Sequence, residues 1–199
     1  MPMRIFEHDA QARGYRLIAG VDEAGRGPLA GPVVSAAVVL PADFECKDIT
    51  DSKKLSEKKR EALFPFIQEN ALAFGVGIAD HKEIDRINIL QAALLSMKRA
   101  VEALSPKPDY LLIDGKFTID SPLDQEAIVK GDSKSLSIAS ASILAKVTRD
   151  RIMKELAVQY PEYGFDRHKG YPTKAHKEAI LANGPCPVHR QSFRGVKVV

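Results

Sequence analysis

At 199 residues, with 45% hydrophobic and 28% charged side chains, the chain has the makeup of a folded domain and not of a disordered or fibrous polymer. Its net charge of +3 is too small to mark a polyanion binder by itself, and no stretch nears the ~20 apolar residues needed to cross a bilayer. Residues 1–16 mix Arg4, Glu7, His8, Asp9, Arg13 and Arg16, which leaves no apolar run for a signal peptide and makes a cytoplasmic location the expectation.

In chain order, the apolar stretches 17–22 and 33–40 read as two neighbouring strands joined by the irregular Gly/Pro-rich stretch 25–32. Ser56 is placed to cap a helix running from Glu57 to about Asn70, whose apolar face is Ala62, Leu63, Phe66 and Ile67. Residues 72–79 form a third expected strand. Asn88 caps the next helix, in which Leu90, Ala93, Leu94, Met97, Val101 and Leu104 recur at helical spacing until Pro106 ends it. Strands are expected at 110–113 and 127–129. From Ser137 to about Gln159 the pattern is a long helix whose Ala/Ser-rich opening permits close packing. A last helix lies between Thr173 and Asn183 and is closed by Gly184. No repeat or Ser/Gly-rich linker divides the chain, so one α/β domain over 1–199 is expected, a mixed five-stranded sheet with helices on both faces. Cys46 and Cys186 lack any C-x-x-C partner and read as reduced thiols.

Charge is unevenly spread. Residues 130–199 hold 13 Lys+Arg against 6 Asp+Glu, while residues 1–129 hold 16 against 20. An acidic centre beside a basic binding face would produce this asymmetry, and so would a chance clustering of solvated surface. Lys53, Lys54, Lys146, Lys169, Arg190 and Arg194 are the candidate phosphate contacts. His168, His176 and His189 read as polar surface or further phosphate donors.

The segment Gly20-Val21-Asp22-Glu23-Ala24-Gly25-Arg26-Gly27-Pro28 sets two adjacent carboxylates at the end of an apolar strand. Neighbouring side chains in a regular strand face opposite ways, so Asp22 and Glu23 can share a site only if the strand ends there. Asp114 closes the apolar run 110–113 ahead of Gly115, and Asp132 follows Lys130-Gly131 ahead of the Ala/Ser-rich helix. Taken singly, Asp114 could be a turn residue and Asp132 a helix cap. Together, three strand ends deliver four acids, a set that would repel itself unless divalent cations neutralised it. Oxygen-only ligands favour Mg²⁺ or Mn²⁺, and two such ions suit phosphoryl transfer by in-line attack of water. Asp150, flanked by Arg149 and Arg151, is a rival fourth acid but reads as a structural ion pair.

The run Gly20-Val21-Asp22-Glu23-Ala24-Gly25-Arg26-Gly27-Pro28-Leu29-Ala30-Gly31-Pro32 resembles the signature of bacterial ribonuclease HII. Asp51-Ser52-Lys53-Lys54-Leu55-Ser56, Leu112-Ile113-Asp114-Gly115, Lys130-Gly131-Asp132, the helix opening at Ser137 and the block from Tyr163 to Thr173 are similar to further motifs of that family, in its order. The resemblance implies a ribonuclease H-like fold and assigns Asp22, Glu23, Asp114 and Asp132 as metal-binding catalytic acids. It implies that the backbone of Gly25, Arg26 and Gly27 reads a ribose 2′-hydroxyl, that Lys53 and Lys54 meet phosphate, and that Tyr171 packs on the sugar at an RNA-to-DNA junction. Residues from about 160 to 199 would then form a C-terminal helical segment that grips substrate. The implied activity is hydrolysis of the RNA strand of RNA/DNA hybrids, and nicking 5′ of ribonucleotides embedded in duplex DNA, leaving 3′-hydroxyl and 5′-phosphate ends; nothing in the sequence pattern demands more than a monomer, which is the expectation. A non-catalytic nucleic-acid-binding module, or a nuclease of the same broad fold that acts on DNA alone, remains open on the residues themselves.

Overall fold

The computed structural model describes residues 3–196. Its elements are α1 (Ile5–Ala12), β1 (Ile18–Ala24), β2 (Val33–Val39), α2 (Glu57–Asn70), β3 (Ala73–Ala79), α3 (His81–Ile87), α4 (Ile89–Glu102), β4 (Tyr110–Asp114), β5 (Asp124–Ile128), α5 (Leu136–Gln159), α6 (Phe165–His168) and α7 (Lys174–Asn183). The strands form one mixed sheet in the order β3-β2-β1-β4-β5. The β1–β2 and β2–β3 pairs are antiparallel, and the β1–β4 and β4–β5 pairs are parallel.

Side-chain alternation divides the sheet into two apolar faces. Ala19 and Val21 of β1, Ala37 and Val39 of β2, and Leu111 and Ile113 of β4 meet Met97, Ala100 and Val101 of α4. On the other face Ala36 and Val38 meet Ala139, Ile143, Leu144 and Val147 of α5, with Leu63 and Ile67 of α2 outside them. Helices thus cover both faces, as the sequence pattern requires. The small residues at the start of α5 let it approach β1 closely: a Cβ on Gly20 would lie 2.2 Å from the Ile138 amide nitrogen. A third cluster joins Leu29 and Ala30 to Met153, Tyr163, Phe165, Ile180, Cys186 and Val196, so the C-terminal segment packs on the loop 25–32 and the far end of α5.

Several boundaries differ from expectation. β1 runs on to Ala24, because its ladder with β2 continues through Asp22↔Ala36, Glu23↔Ser35 and Ala24↔Val34. β5 spans Asp124–Ile128 instead of 127–129, a polar strand whose pairing with β4 overrides its weak propensity. The helices α1 and α3 were not expected. α3 is held by a capping box between Asp80 and Glu83. In α1, Glu7 is buried and its Oε1 receives the Ser135 hydroxyl (2.6 Å), the Ser137 hydroxyl (2.7 Å) and the Ser137 amide (2.9 Å), which ties α1 to the start of α5. Both cysteines are free thiols.

Candidate active site

The parallel ladder between β1 and β4 stops at Val21↔Ile113, one residue before Asp22 and Asp114. Beyond that point β1 pairs only with β2 and Asp114 only with Ile128 of β5, so the sheet forks where the acids stand. Asp22 and Asp114 share the α5 face by alternation. Glu23 is out of phase, yet carboxylate oxygens of Asp22, Glu23 and Asp114 all lie within 4.8 Å of one another. The requirement that the strand end is therefore met on one edge only: the ladder to β4 ends, and the ladder to β2 does not.

Asp132 sits in the turn before α5, buried, and lies outside that three-way group. Its turn hangs on Asp114, whose Oδ1 accepts the Gly131 amide at 2.6 Å. Lys53 Nζ contacts Asp132 Oδ2 at 3.3 Å, and the Ser52 hydroxyl beside it meets that of Ser142 on α5 at 2.7 Å, both buried. Burial pushes the Asp22 carboxyl well above the usual aspartate range, and the charges of Glu23 and Asp114 add to it, against a hydrogen bond from Ser142. Burial likewise raises Glu23, although Arg26 opposes it, and raises Asp114, with Asp132 adding to the effect. One carboxylate oxygen of Glu23 is buried without a hydrogen-bond partner. Among the described residues, the salt bridges at the cluster are Arg26 to Glu23 (3.2 Å) and Lys53 to Asp132; Asp22 and Asp114 have none.

The loop 25–32 is shaped from behind by two buried arginines. Arg190 donates to the carbonyls of Gly25 (2.6 Å), Arg26 (3.1 Å), Gly31 (3.0 Å) and Pro32 (3.1 Å). Arg149 donates to those of Pro32 (2.9 Å), Ala30 (3.2 Å) and Lys169 (3.0 Å). Gly25 has φ +100°, and a Cβ there would fall 2.0 Å from Arg149 Nε, so glycine is needed twice over. The Arg26 carbonyl is turned inward to Arg190, while Arg26 and Gly27 as residues remain exposed. Tyr171, 41% exposed, lies over Gly27, its Cε1 3.5 Å from where a Cβ would be.

Several expected surface residues are elsewhere. Arg190 is fully buried and spent on carbonyls, and Lys169 is buried with its ammonium on the Asp166 carbonyl, so neither is a free phosphate contact. His176 and His189 have no exposed surface and join His168 in an aromatic cluster with Phe165, which corrects their reading as polar surface. Lys146, 22% exposed, gives its ammonium to Asp150 at 2.6 Å, while Lys53, Lys54 and Arg194 are exposed. Asp150 is a structural partner as expected, but a buried one, shared with Arg60 at 3.7 Å. Sequence reasoning missed Arg149, Ser142 and Glu7. Arg149 and Glu7 act across more than 100 positions, which no local pattern encodes.

A family model described as Ribonuclease HII matches residues 19–196. The ribonuclease HII of Geobacter sulfurreducens is 60% identical over 192 residues, 96% of this chain and 88% of that one. That of Bacillus licheniformis is 56% identical over 196 residues, covering 98% and 76%. Among solved structures, ribonuclease H2 from Pyrococcus horikoshii OT3 superposes with a TM-score of 0.76 at 28% identity, covering 91% of this chain and 95% of that one. With this sheet order and these identities over nearly its whole length, the chain belongs to the ribonuclease HII family.

Proposed function

We propose that the protein hydrolyses the RNA strand of RNA/DNA hybrids and nicks duplex DNA on the 5′ side of embedded ribonucleotides. The observation that carries this reading is the meeting of Asp22, Glu23 and Asp114 beside the exposed residues Arg26 and Gly27. The cluster fits hard divalent cations. Its donors are all oxygen, one buried Glu23 oxygen is unpartnered, and the carboxyl pKa values are raised first by burial and then by mutual repulsion, both of which a cation relieves. Asp22, Glu23 and Asp114 would hold Mg²⁺ or Mn²⁺, with Asp132 adjoining. A ribonuclease HIII of the same fold, at 21% identity and a TM-score of 0.69, was solved in complex with Mn²⁺. Two such ions, when bound, supply an activated water on one side of a phosphodiester and charge neutralisation on the other, with 3′-hydroxyl and 5′-phosphate products.

The chain's own residues would select the substrate. A 2′-hydroxyl both donates and accepts, and the backbone at exposed Gly27 can be approached because no side chain stands in the way there. Tyr171 offers a ring face suited to a deoxyribose and poorly suited to a hydroxyl. Lys54 is exposed and can meet phosphate directly, whereas Lys53 would first have to leave Asp132 and Lys146 would have to leave Asp150. The segment from about 160 onward, fixed to the loop 25–32, would grip the duplex as part of a single-domain monomer.

A DNA duplex carrying one ribonucleotide tests the whole reading. With Mg²⁺ or Mn²⁺ a nick is expected 5′ of that nucleotide, and none in EDTA. Equal cutting of an all-DNA duplex would favour a DNA nuclease, and metal-indifferent binding without product a non-catalytic module.

A further inference from the structure

Two histidines, His189 and His176, form a hydrogen-bonded chain that ends on the backbone of Tyr171, and a third, His168, stacks against it. The Nδ1 of His189 accepts the Cys186 amide at 2.9 Å, so its proton must sit on Nε2. That Nε2 lies 3.0 Å from the Nε2 of His176, a distance that needs one donor and one acceptor. His189 supplies the proton, and His176 therefore carries its own on Nδ1, which faces the Tyr171 carbonyl at 2.9 Å. His168 is fixed in the same way: its Nδ1 accepts the Gly170 amide at 3.2 Å and its Nε2 donates to the Tyr163 carbonyl at 2.7 Å. Its ring stacks on His176 with centroids 4.5 Å apart, and its carbonyl accepts the Tyr171 amide at 2.9 Å.

Each ring thus has a single tautomer that satisfies its neighbours. A proton added to any of them would set donor against donor. Burial favours the neutral rings, holding His168 and His176 below the ordinary imidazole range and His189 down at about 4. Packing alone gives no reason for imidazoles here, since an apolar ring among Tyr163, Phe165 and Ile180 would avoid their desolvation cost. What the chain does reach is the turn at 170–171. That turn is bonded on its other side to the loop 25–32, where the Leu29 amide donates to the Gly170 carbonyl at 2.8 Å.

We propose that His176, locked as the Nδ1–H tautomer by His189, is a positioning residue that sets Tyr171 over Gly27 and so sharpens discrimination between deoxyribose and ribose at the junction. The inference rests on the reading of Tyr171 as a sugar contact. Nitrogen-15 NMR of the intact protein reads the tautomers directly. Nδ1–H is expected for His176 and Nε2–H for His168 and His189, and the opposite tautomer at His176 would overturn the proposal. The kinetic readout is the ratio of kcat/KM for two duplexes, one with deoxyribose and one with ribose 3′ of the cut nucleotide. His176→Phe keeps a ring but loses the donor, and it should reduce that ratio about tenfold. His176→Asn, whose amide can take the place of Nδ1, should recover most of it.

In a Tyr171→Ala background His176→Phe should leave the ratio where Tyr171→Ala put it, whereas a further tenfold loss would show that His176 acts elsewhere and overturn the proposal. If His176→Phe does not fold, His189→Gln, which keeps a donor near Nε2, should hold the ratio and His189→Leu should lose it. An unchanged ratio in His176→Phe or His189→Leu refutes the positioning role alone. An unchanged ratio in Tyr171→Ala refutes the sugar contact and, with it, the purpose assigned to His176.

Discussion

Replacing Asp22 by Asn should stabilise the metal-free protein while removing nearly all cleavage. The carboxylate oxygens of Asp22, Glu23 and Asp114 lie within 4.8 Å of one another. At an effective dielectric of about 20, each charged neighbour then costs roughly 3 kcal/mol. Asp22 has two. That figure is an upper bound, because burial and the neighbouring charges raise the Asp22 pKa and so weaken the preference for its charged form. Asparagine keeps the side-chain oxygen that accepts the Glu23 amide at 2.7 Å, so little bonding is lost. A net gain of about 1–3 kcal/mol is expected, or roughly 3–10 °C in Tm for a domain of this size. Thermal melts in EDTA measure it, repeated with Mn²⁺, which should stabilise the parent more than the variant. The effect has a definite pH sense: a carboxyl with a raised folded pKa takes up its proton first as pH falls, so the repulsion in the parent is relieved and the two melting temperatures converge. An Asn variant that melts at or below the parent in EDTA at neutral pH would refute the reasoning, as would a difference that does not shrink on acidification.

Arg190→Met should leave the carbonyls of Gly25, Arg26 and Gly31 without their buried donor and cost about 3–5 kcal/mol, with Arg190→Lys recovering only part because it lacks the planar fork; urea denaturation measures both, and a loss below about 1 kcal/mol would mean the loop holds itself. His189, fully buried with its pKa pushed down to about 4, contributes stability that is complete above the unfolded value of 6.5 and is lost as pH falls between the two. The loss is about 3 kcal/mol. Proton NMR should show its ring neutral at pH 5, and a ring that titrates near 6.5 would contradict the burial argument.

Much of the fold could be read in advance because its long elements are strongly patterned. Leu63 and Ile67 on α2, and Met97 and Val101 on α4, recur at helical spacing and are buried as that spacing implies. Asp22, Glu23 and Asp114 stood out because charges interrupt apolar runs. The misreadings share one cause. Arg190, His176 and His189 carry polar side chains that default to the surface, and only buried backbone groups and ring nitrogens make their burial affordable. Those of Arg190 lie up to 165 positions away, beyond any local window, while those of the histidines lie 3 to 13 positions away and meet them only through the turns of the C-terminal segment. The path of β1 past Asp22 was hidden for a related reason: an antiparallel partner can carry a strand beyond the point where its parallel neighbour leaves it.

The carbonyls turned toward Arg190 also bear on how the protein comes into being. Residues 25–32 leave the ribosome early, but the guanidinium that draws their oxygens inward is made more than 150 residues later. A nascent chain can raise its first strands long before that, yet the carbonyls of Gly25, Arg26 and Gly31 have no donor until Arg190 emerges. A chain cut short ahead of Arg190 would keep every carboxylate and still lack the loop shape that stands beside them.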